Sequence, residues 1–267
     1  MINFLNGKIP DYSFFSDYIE KFYSYPTDLI EKLRRKELDL SPVSSAEYIF
    51  MQDDYFISPK ICIASDGEVD SVGVFSKYSP NQWDNKKIFI TGSSMTSKYL
   101  LKVLCKNYFK VKPNFIYQNQ SETFSENISE ILKKYDGALL IGDLAHKTKK
   151  NEKISFWDLG LLWKEWTNLP FVFALWLVHR NYCNKNKFLV KKVENLFLDS
   201  IENGLKNIQK IYEREDLSLD FIHFHKFLSS TMQYYLDQSK LEGLMRFSKE
   251  LKKAGFISSE LDIKPYI

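Results

Sequence analysis

Over the first 180 residues, short apolar runs alternate with segments whose apolar side chains recur every three or four positions, and beyond residue 185 the second pattern continues alone. Such alternation restricts the chain to sheets covered by helices. Strands are predicted at 2–5, 38–43, 57–64, 71–76, 87–91, 114–117, 137–141 and 169–178, and helices at 28–35, 44–51, 94–107, 125–134 and 156–166. Strands that alternate with helices imply an α/β fold with mainly parallel sheets and right-handed crossovers. In the tail, Val193, Leu196, Phe197, Ile201, Leu205, Ile208 and Tyr212 share one helical face, and helices near 218–236 and 239–253 follow, the last stopping at Ala254-Gly255. These stripes need a surface to cover, which the first lobe offers. At 267 residues the chain exceeds the usual size of one domain. Two lobes are expected, 1–80 plus 181–267 and 81–180, with the chain crossing between them near 77–87 and 175–185; the first crossing follows the Ser79-Pro80-Asn81 turn signal.

Charge and motif content exclude several classes. The 37 basic and 34 acidic residues leave a net +3, too balanced for a nucleic-acid surface. The longest apolar run, Leu169 to Val178, is too short to span a bilayer and reads as a buried strand. Cys62, Cys105 and Cys183 are odd in number and widely spaced, which suggests neither a disulfide framework nor a zinc site and fits a reducing compartment. With no secretory signal at the start, a cytoplasmic protein is expected. Aromatic residues make up 16% of the chain; they fall on strand and helix faces, as at Trp163, Phe171, Phe173 and Phe197, and point to core packing. HExxH, GxSxG, GxGxxG and P-loop patterns are missing, so zinc-protease, serine-hydrolase, Rossmann-dehydrogenase and P-loop readings have no local support.

Candidate chemistry collects at strand ends. Thr91-Gly92-Ser93-Ser94-Met95-Thr96-Ser97 lies between a strand and a helix, where hydroxyls and free N–H groups suit a carboxylate or phosphate; Ser94 as a simple helix cap is the alternative. Ile141-Gly142-Asp143 puts a carboxylate after a buried strand, facing a cleft or capping a turn. Asn6 and Ser44-Ser45 hold equivalent positions. His146 precedes Lys147, Lys149, Lys150 and Lys153 in what reads as a solvated loop, and His223 and His225 point to different helix faces.

These segments, in this order, resemble the chorismate dehydratase family of the futalosine route to menaquinone, which has the type II periplasmic-binding-protein fold. The matching stretches are NFLN at 3–6, ELDLSPVSSAEY at 37–48, ICIASDGEVDSVGVFS at 61–76, TGSSMTS at 91–97, GALLIGDLA at 137–145 and WDLGLLWKEWTNLPFVFALW at 157–176. The helical tail matches in pattern only. Met95 stands where the family usually has Arg, and Thr167-Asn168 replaces Thr-Gly. The resemblance implies a cofactor-independent loss of water from chorismate, with Asn6 and Asp143 as catalytic candidates and Ser44, Ser93, Ser94, Thr96 and Gly142 binding substrate. Either Asp143 or the substrate's own enolpyruvyl carboxylate would take the proton. A non-catalytic small-carboxylate-binding protein of the same fold and the related 1,4-dihydroxy-6-naphthoate synthase are the alternatives. The oligomeric state is left open.

Overall fold

The computed structural model describes residues 4–91, 95–117, 127–151, 154–215 and 219–265. The strands are β1 (Leu40–Ser44), β2 (Tyr55–Ser65), β3 (Val72–Ser76), β4 (Lys87–Ile90), β5 (Asn114–Tyr117), β6 (Gly137–Ile141), β7 (Phe156–Asp158), β8 (Phe171–His179) and β9 (Gln233–Tyr235). Between and after them run α1 (Lys8–Asp11), α2 (Pro26–Arg34), α3 (Ser45–Phe50), α4 (Met95–Val103), α5 (Ile128–Lys134), α6 (Gly142–Asn151), α7 (Leu159–Thr167), α8 (Arg180–Lys185), α9 (Lys187–Lys206), α10 (Ile208–Tyr212), α11 (Phe221–Lys226) and α12 (Gln238–Lys253).

Local chemistry accounts for most of the boundaries. Pro26 opens α2, whose Leu29, Ile30 and Leu33 form its buried stripe. Side-chain caps start five other described helices: Ser44 accepts from the Glu47 N–H, Asn127 from Ser129, Asp158 from Leu161, Asp220 from His223 and Asp237 from Lys240. Asn168 ends α7 at φ 57°; Asn tolerates this left-handed region that Gly favours, so replacing Thr-Gly there leaves the turn intact.

The sheets differ from the expected parallel layout. One has the order β1-β8-β2-β9 and the other β5-β4-β6-β3-β7. In the first, all neighbours run antiparallel. In the second, β5, β4 and β6 are parallel, while β3 is antiparallel to both β6 and β7. Only the β4-α4-β5-α5-β6 stretch has the successive helical crossovers that parallel neighbours require. The first sheet is assembled from strands far apart in sequence, so local alternation did not determine their directions.

Sheet membership also moves the expected crossings. β3 pairs in the second sheet and β8 in the first, so the chain changes sheets within 66–71 and again between Asp158 and Phe171. The Ser79-Pro80 signal does make a turn, a 3₁₀ turn at Pro80–Gln82, but inside the second unit. Turn chemistry marks a change of direction, not a change of partner.

Five further readings differ from the pattern. Residues 2 and 3 of the expected strand at 2–5 lie outside the described residues, and Leu5–Gly7 is a 3₁₀ turn. The segment 156–166 divides at Asp158 into β7 and α7. The long helix read through 212 breaks at Asn207, and the expected helix at 218–236 ends in β9, which pairs with β2. His146 sits in α6 and is 4% exposed; the segment is a helix rather than a loop, with Lys147 and Lys149 at exposed positions beside it.

Many of the aromatic residues are core, as their placement on element faces suggested, while others, among them Phe15, Tyr25 and Phe188, are exposed. Trp83, Trp163, Trp176, Tyr48, Tyr55 and Tyr234 are among the largest fully buried side chains. The tail fastens to the first sheet and to the β4–β5 crossover of the second. Phe247 of α12 packs edge-on against Trp163 and Phe171, and the Asn107 amide donates to the Glu250 carbonyl at 2.9 Å.

Candidate active site

A cavity of about 70 Å³ lies where the two sheets meet. Its polar wall is formed by Asn6, Ser44, Ser71, Ser97 and Gly142, and Phe4, Phe173 and Met232 stand among its apolar lining. A larger hollow of about 400 Å³ lies between the N-terminal segment, β1 and α9. It is remote from the strand ends that carry the hydroxyls, so the smaller cavity is the candidate site.

Each polar group reaches the cavity for a local reason. Asn6 is in the 3₁₀ turn after Phe4, and its Oδ1 is buried with no hydrogen-bond partner among the described residues. Ser44 ends β1 and caps α3, accepting from Glu47 N at 3.4 Å. Gly142 adopts φ 63°, its N–H donates to Ser71 O at 2.7 Å, and a Cβ there would press on the Phe4 ring at 3.0 Å. Glycine thus supplies both the left-handed turn into α6 and the clearance beside Phe4.

The structure separates the remaining candidates. Thr96 is buried and accepts from Ala46 N at 3.0 Å, with Ser45 Oγ at 3.4 Å. Its hydroxyl ties α4 to the start of α3, while the next residue, Ser97, lines the cavity. Asp143 stands beside the cavity wall, with Oδ1 accepting from Leu5 N at 3.3 Å. Much of its surface area is open to solvent, yet the carboxyl is crowded enough by protein that burial raises its pKa, opposed by the Leu5 N–H and Lys8. The residue is exposed overall, with one carboxylate oxygen held by the Leu5 N–H. Ser93 and Ser94 lie outside the described residues. Met95 packs against the principal core.

Sequence reasoning did not name Ser71, Ser97, Phe173 or Met232 individually as site residues, although Ser97 closes the 91–97 hydroxyl cluster and Phe173 was read as core. The first three fall inside the segments that carry the family resemblance, so that signal was available. Met232 comes from the tail, where pattern alone gave no hint of a cavity. Buried Asp158 was also missed: it accepts from Val69 N, Asp70 N and Leu161 N, and burial pushes its carboxyl up to about 6.

A family model described as menaquinone biosynthesis matches residues 2–253. The chain belongs to this menaquinone-biosynthesis family. It is 29% identical to the chorismate dehydratase of Thermus thermophilus over 249 residues, 86% of this chain and 85% of that protein. Among solved structures, protein AF1704 of Archaeoglobus fulgidus superposes with a TM-score of 0.74 at 19% identity, covering 96% and 97% of the two chains. The periplasmic aliphatic sulphonate binding protein SsuA of Escherichia coli gives 0.59 at 12% identity, covering 92% and 80%. The fold of this family member is therefore that of the periplasmic binding proteins.

Proposed function

We propose that the protein is a chorismate dehydratase, a carbon–oxygen lyase that converts chorismate to 3-[(1-carboxyvinyl)oxy]benzoate on the futalosine route to menaquinone, without a cofactor. The observation that carries this reading is the cavity wall of Asn6, Ser44, Ser71 and Ser97 at the junction of the sheets, in a member of the menaquinone family. The chemistry asks little more of the protein. The C3–H bond breaks, its electron pair forms a ring double bond, the C4–O bond breaks, and hydroxide leaves with the proton as water while the ring becomes aromatic.

Hydroxyls fixed at strand ends orient the carboxylates and stabilise charge as it develops. Ser44, with Ser93 and Ser94, is assigned to the carboxylates, and the buried Asn6 Oδ1, which has no donor among the described residues, to the C4 hydroxyl. Asp143 is already engaged with Leu5 N, beside Asn6. Its proposed role is to hold the turn that presents Asn6, and the substrate's enolpyruvyl carboxylate takes the C3 proton. Thr96 is assigned to the junction of α3 and α4 behind the wall.

At about 70 Å³ the cavity is well below the roughly 300–1,000 Å³ of ordinary ligand pockets, so entry of substrate requires the two sheets, proposed here as the lobes, to part and close again. The reading includes a cytoplasmic location, supported by three free, buried thiols; among the described residues no helix is long and apolar enough to cross a membrane. Mixed with chorismate, the purified protein should generate the ultraviolet spectrum of an enolpyruvyl benzoate with no added metal or nucleotide. Chorismate left unchanged by folded protein would overturn the enzyme reading, and binding without turnover would favour a carboxylate receptor of the same fold.

A further inference from the structure

Between β2 and β3 the chain passes from one sheet to the other through residues 66–71, and this crossing and the residue after it supply Val69, Ser71 and Val72 to the cavity wall. The crossing has an unusual backbone: Gly67 lies at φ 112° and the non-glycine Asp70 at φ 61°. A segment so shaped persists only when its surroundings hold it. Asp158, at the end of β7, supplies much of that hold. Its buried carboxylate accepts from Val69 N at 3.1 Å through either oxygen, from Asp70 N at 2.7 Å and from Leu161 N at 3.0 Å.

Two residues further on, Gly160 gives the crossing room to lie down. A Cβ at Gly160 would meet Gly67 O at 2.5 Å, Ser65 Oγ at 2.9 Å and Val69 Cβ at 3.2 Å. At the far end of the crossing, Ser71 O accepts from Gly142 N at 2.7 Å, so the position of the crossing passes directly to the start of α6. On its outer side Asp66 pairs with Lys164 of α7 at 2.7 Å, and Asp70 pairs with Lys149 of α6.

From this arrangement we propose that Asp158 is a positioning residue of the cavity: its carboxylate, with Gly160 beneath, fixes the 66–71 crossing so that Ser71 and Gly142 stand where the substrate requires them. Helix capping explains the Leu161 contact alone; the Val69 and Asp70 N–H bonds reach across to a segment 88–89 residues away. The kinetic part of this proposal rests on the dehydratase reading, and its structural part does not.

The test joins hydrogen exchange over 66–72 with steady-state kinetics on chorismate, in the full chain and in Asp158→Asn and Gly160→Ala. The first substitution turns an acceptor oxygen into an NH₂ facing N–H donors. The second lifts the crossing with the carboxylate intact. In the unmodified protein the Val69 and Asp70 amides should exchange slowly. In both variants that protection should fall while circular dichroism stays native, and kcat should drop about 100-fold, the scale of a 1 Å misplacement, with KM changing by less than about threefold. A merely structural cap would lower the melting temperature and leave the split between kcat and KM unmoved.

Unprotected Val69 and Asp70 amides in the unmodified protein overturn the proposal whatever the variants do. So does protection together with kcat unchanged in a folded variant. If Asp158→Asn does not fold, Gly160→Ala decides, and if neither folds the amides of the unmodified protein decide. An unmodified protein that is inert towards chorismate, yet loses loop protection on Asp158→Asn, would sink the dehydratase reading and leave the clamp standing.

Discussion

Asn6 and Asp143 divide two tasks that a strand-end polar residue can perform. The Asn6 carbonyl is buried and unpaired among the described residues, a state that costs about 1–3 kcal/mol and that a ligand donor would relieve. The Asp143 carboxylate is already committed to Leu5 N, and an amide oxygen could accept that same N–H. Asp143→Asn should therefore preserve the turn and retain turnover within about threefold, whereas loss of a general base would cost about 10²–10⁴-fold. Initial rates on chorismate at neutral pH separate the two, and a large loss would restore Asp143 as the base. Burial raises the pKa of this carboxyl, which favours its neutral form and would suit a base poised closer to neutrality, so the measurement bears directly on the mechanism.

Among the elements, α12 shows how closely packing departs from propensity. Gly243 lies in the interior of this helix, and Ala would normally be favoured there by roughly 1 kcal/mol. An added Cβ, however, would fall 2.1 Å from the Pro170 carbonyl. Gly243→Ala should therefore lower stability by about 1–3 kcal/mol, the usual penalty of overpacking, as read from the urea midpoint; a stabilised variant would show that α12 can move away from the turn before β8. Helical periodicity identified α12 and its stop, since both are written in spacing and in Gly255. It could not identify β9, which forms because Tyr234 is buried against a sheet whose other strands lie far away in sequence. Likewise, 156–166 carries a helical pattern that Asp158 interrupts, and a cap is legible in sequence only when its partners are local.

At the scale of the whole molecule, two buried ionisable groups oppose each other on acidification. His146, edge-on to Phe227 and 3.5 Å from Asp70, has its pKa pushed down to about 4 by burial, against the attraction of Asp70 and with Lys149 adding to the shift. Its contribution to stability is present above about pH 6.5 and lost as pH falls towards 4. Asp158, raised to about 6 by burial, behaves in the opposite sense: its contribution is present below about 3.8 and lost as pH rises through 6. Between pH 4 and 6 the native chain binds one proton fewer at His146 and one more at Asp158, so the two slopes nearly cancel. His146→Phe removes the first and leaves the second. Relative to the unmodified protein, this variant should gain about 1.4 kcal/mol per pH unit on acidification from 6 to 4, as measured by denaturant unfolding. A constant difference between the two proteins across that range would show that His146 titrates normally.

The sequence by itself determined where most strands and helices lie, that many aromatic residues form core, and to which family the chain belongs, because periodicity, caps and ordered motifs are properties of neighbouring residues. Tertiary structure alone decided which sheet each strand joins and in which direction, that His146 is buried, that Thr96 fastens two helices while Ser97 meets the cavity, and that Asp158 reaches the crossing at 66–71. Those outcomes depend on contacts between segments many tens of residues apart. A residue's pattern records that one of its faces is to be covered, and only the assembled chain supplies what covers it.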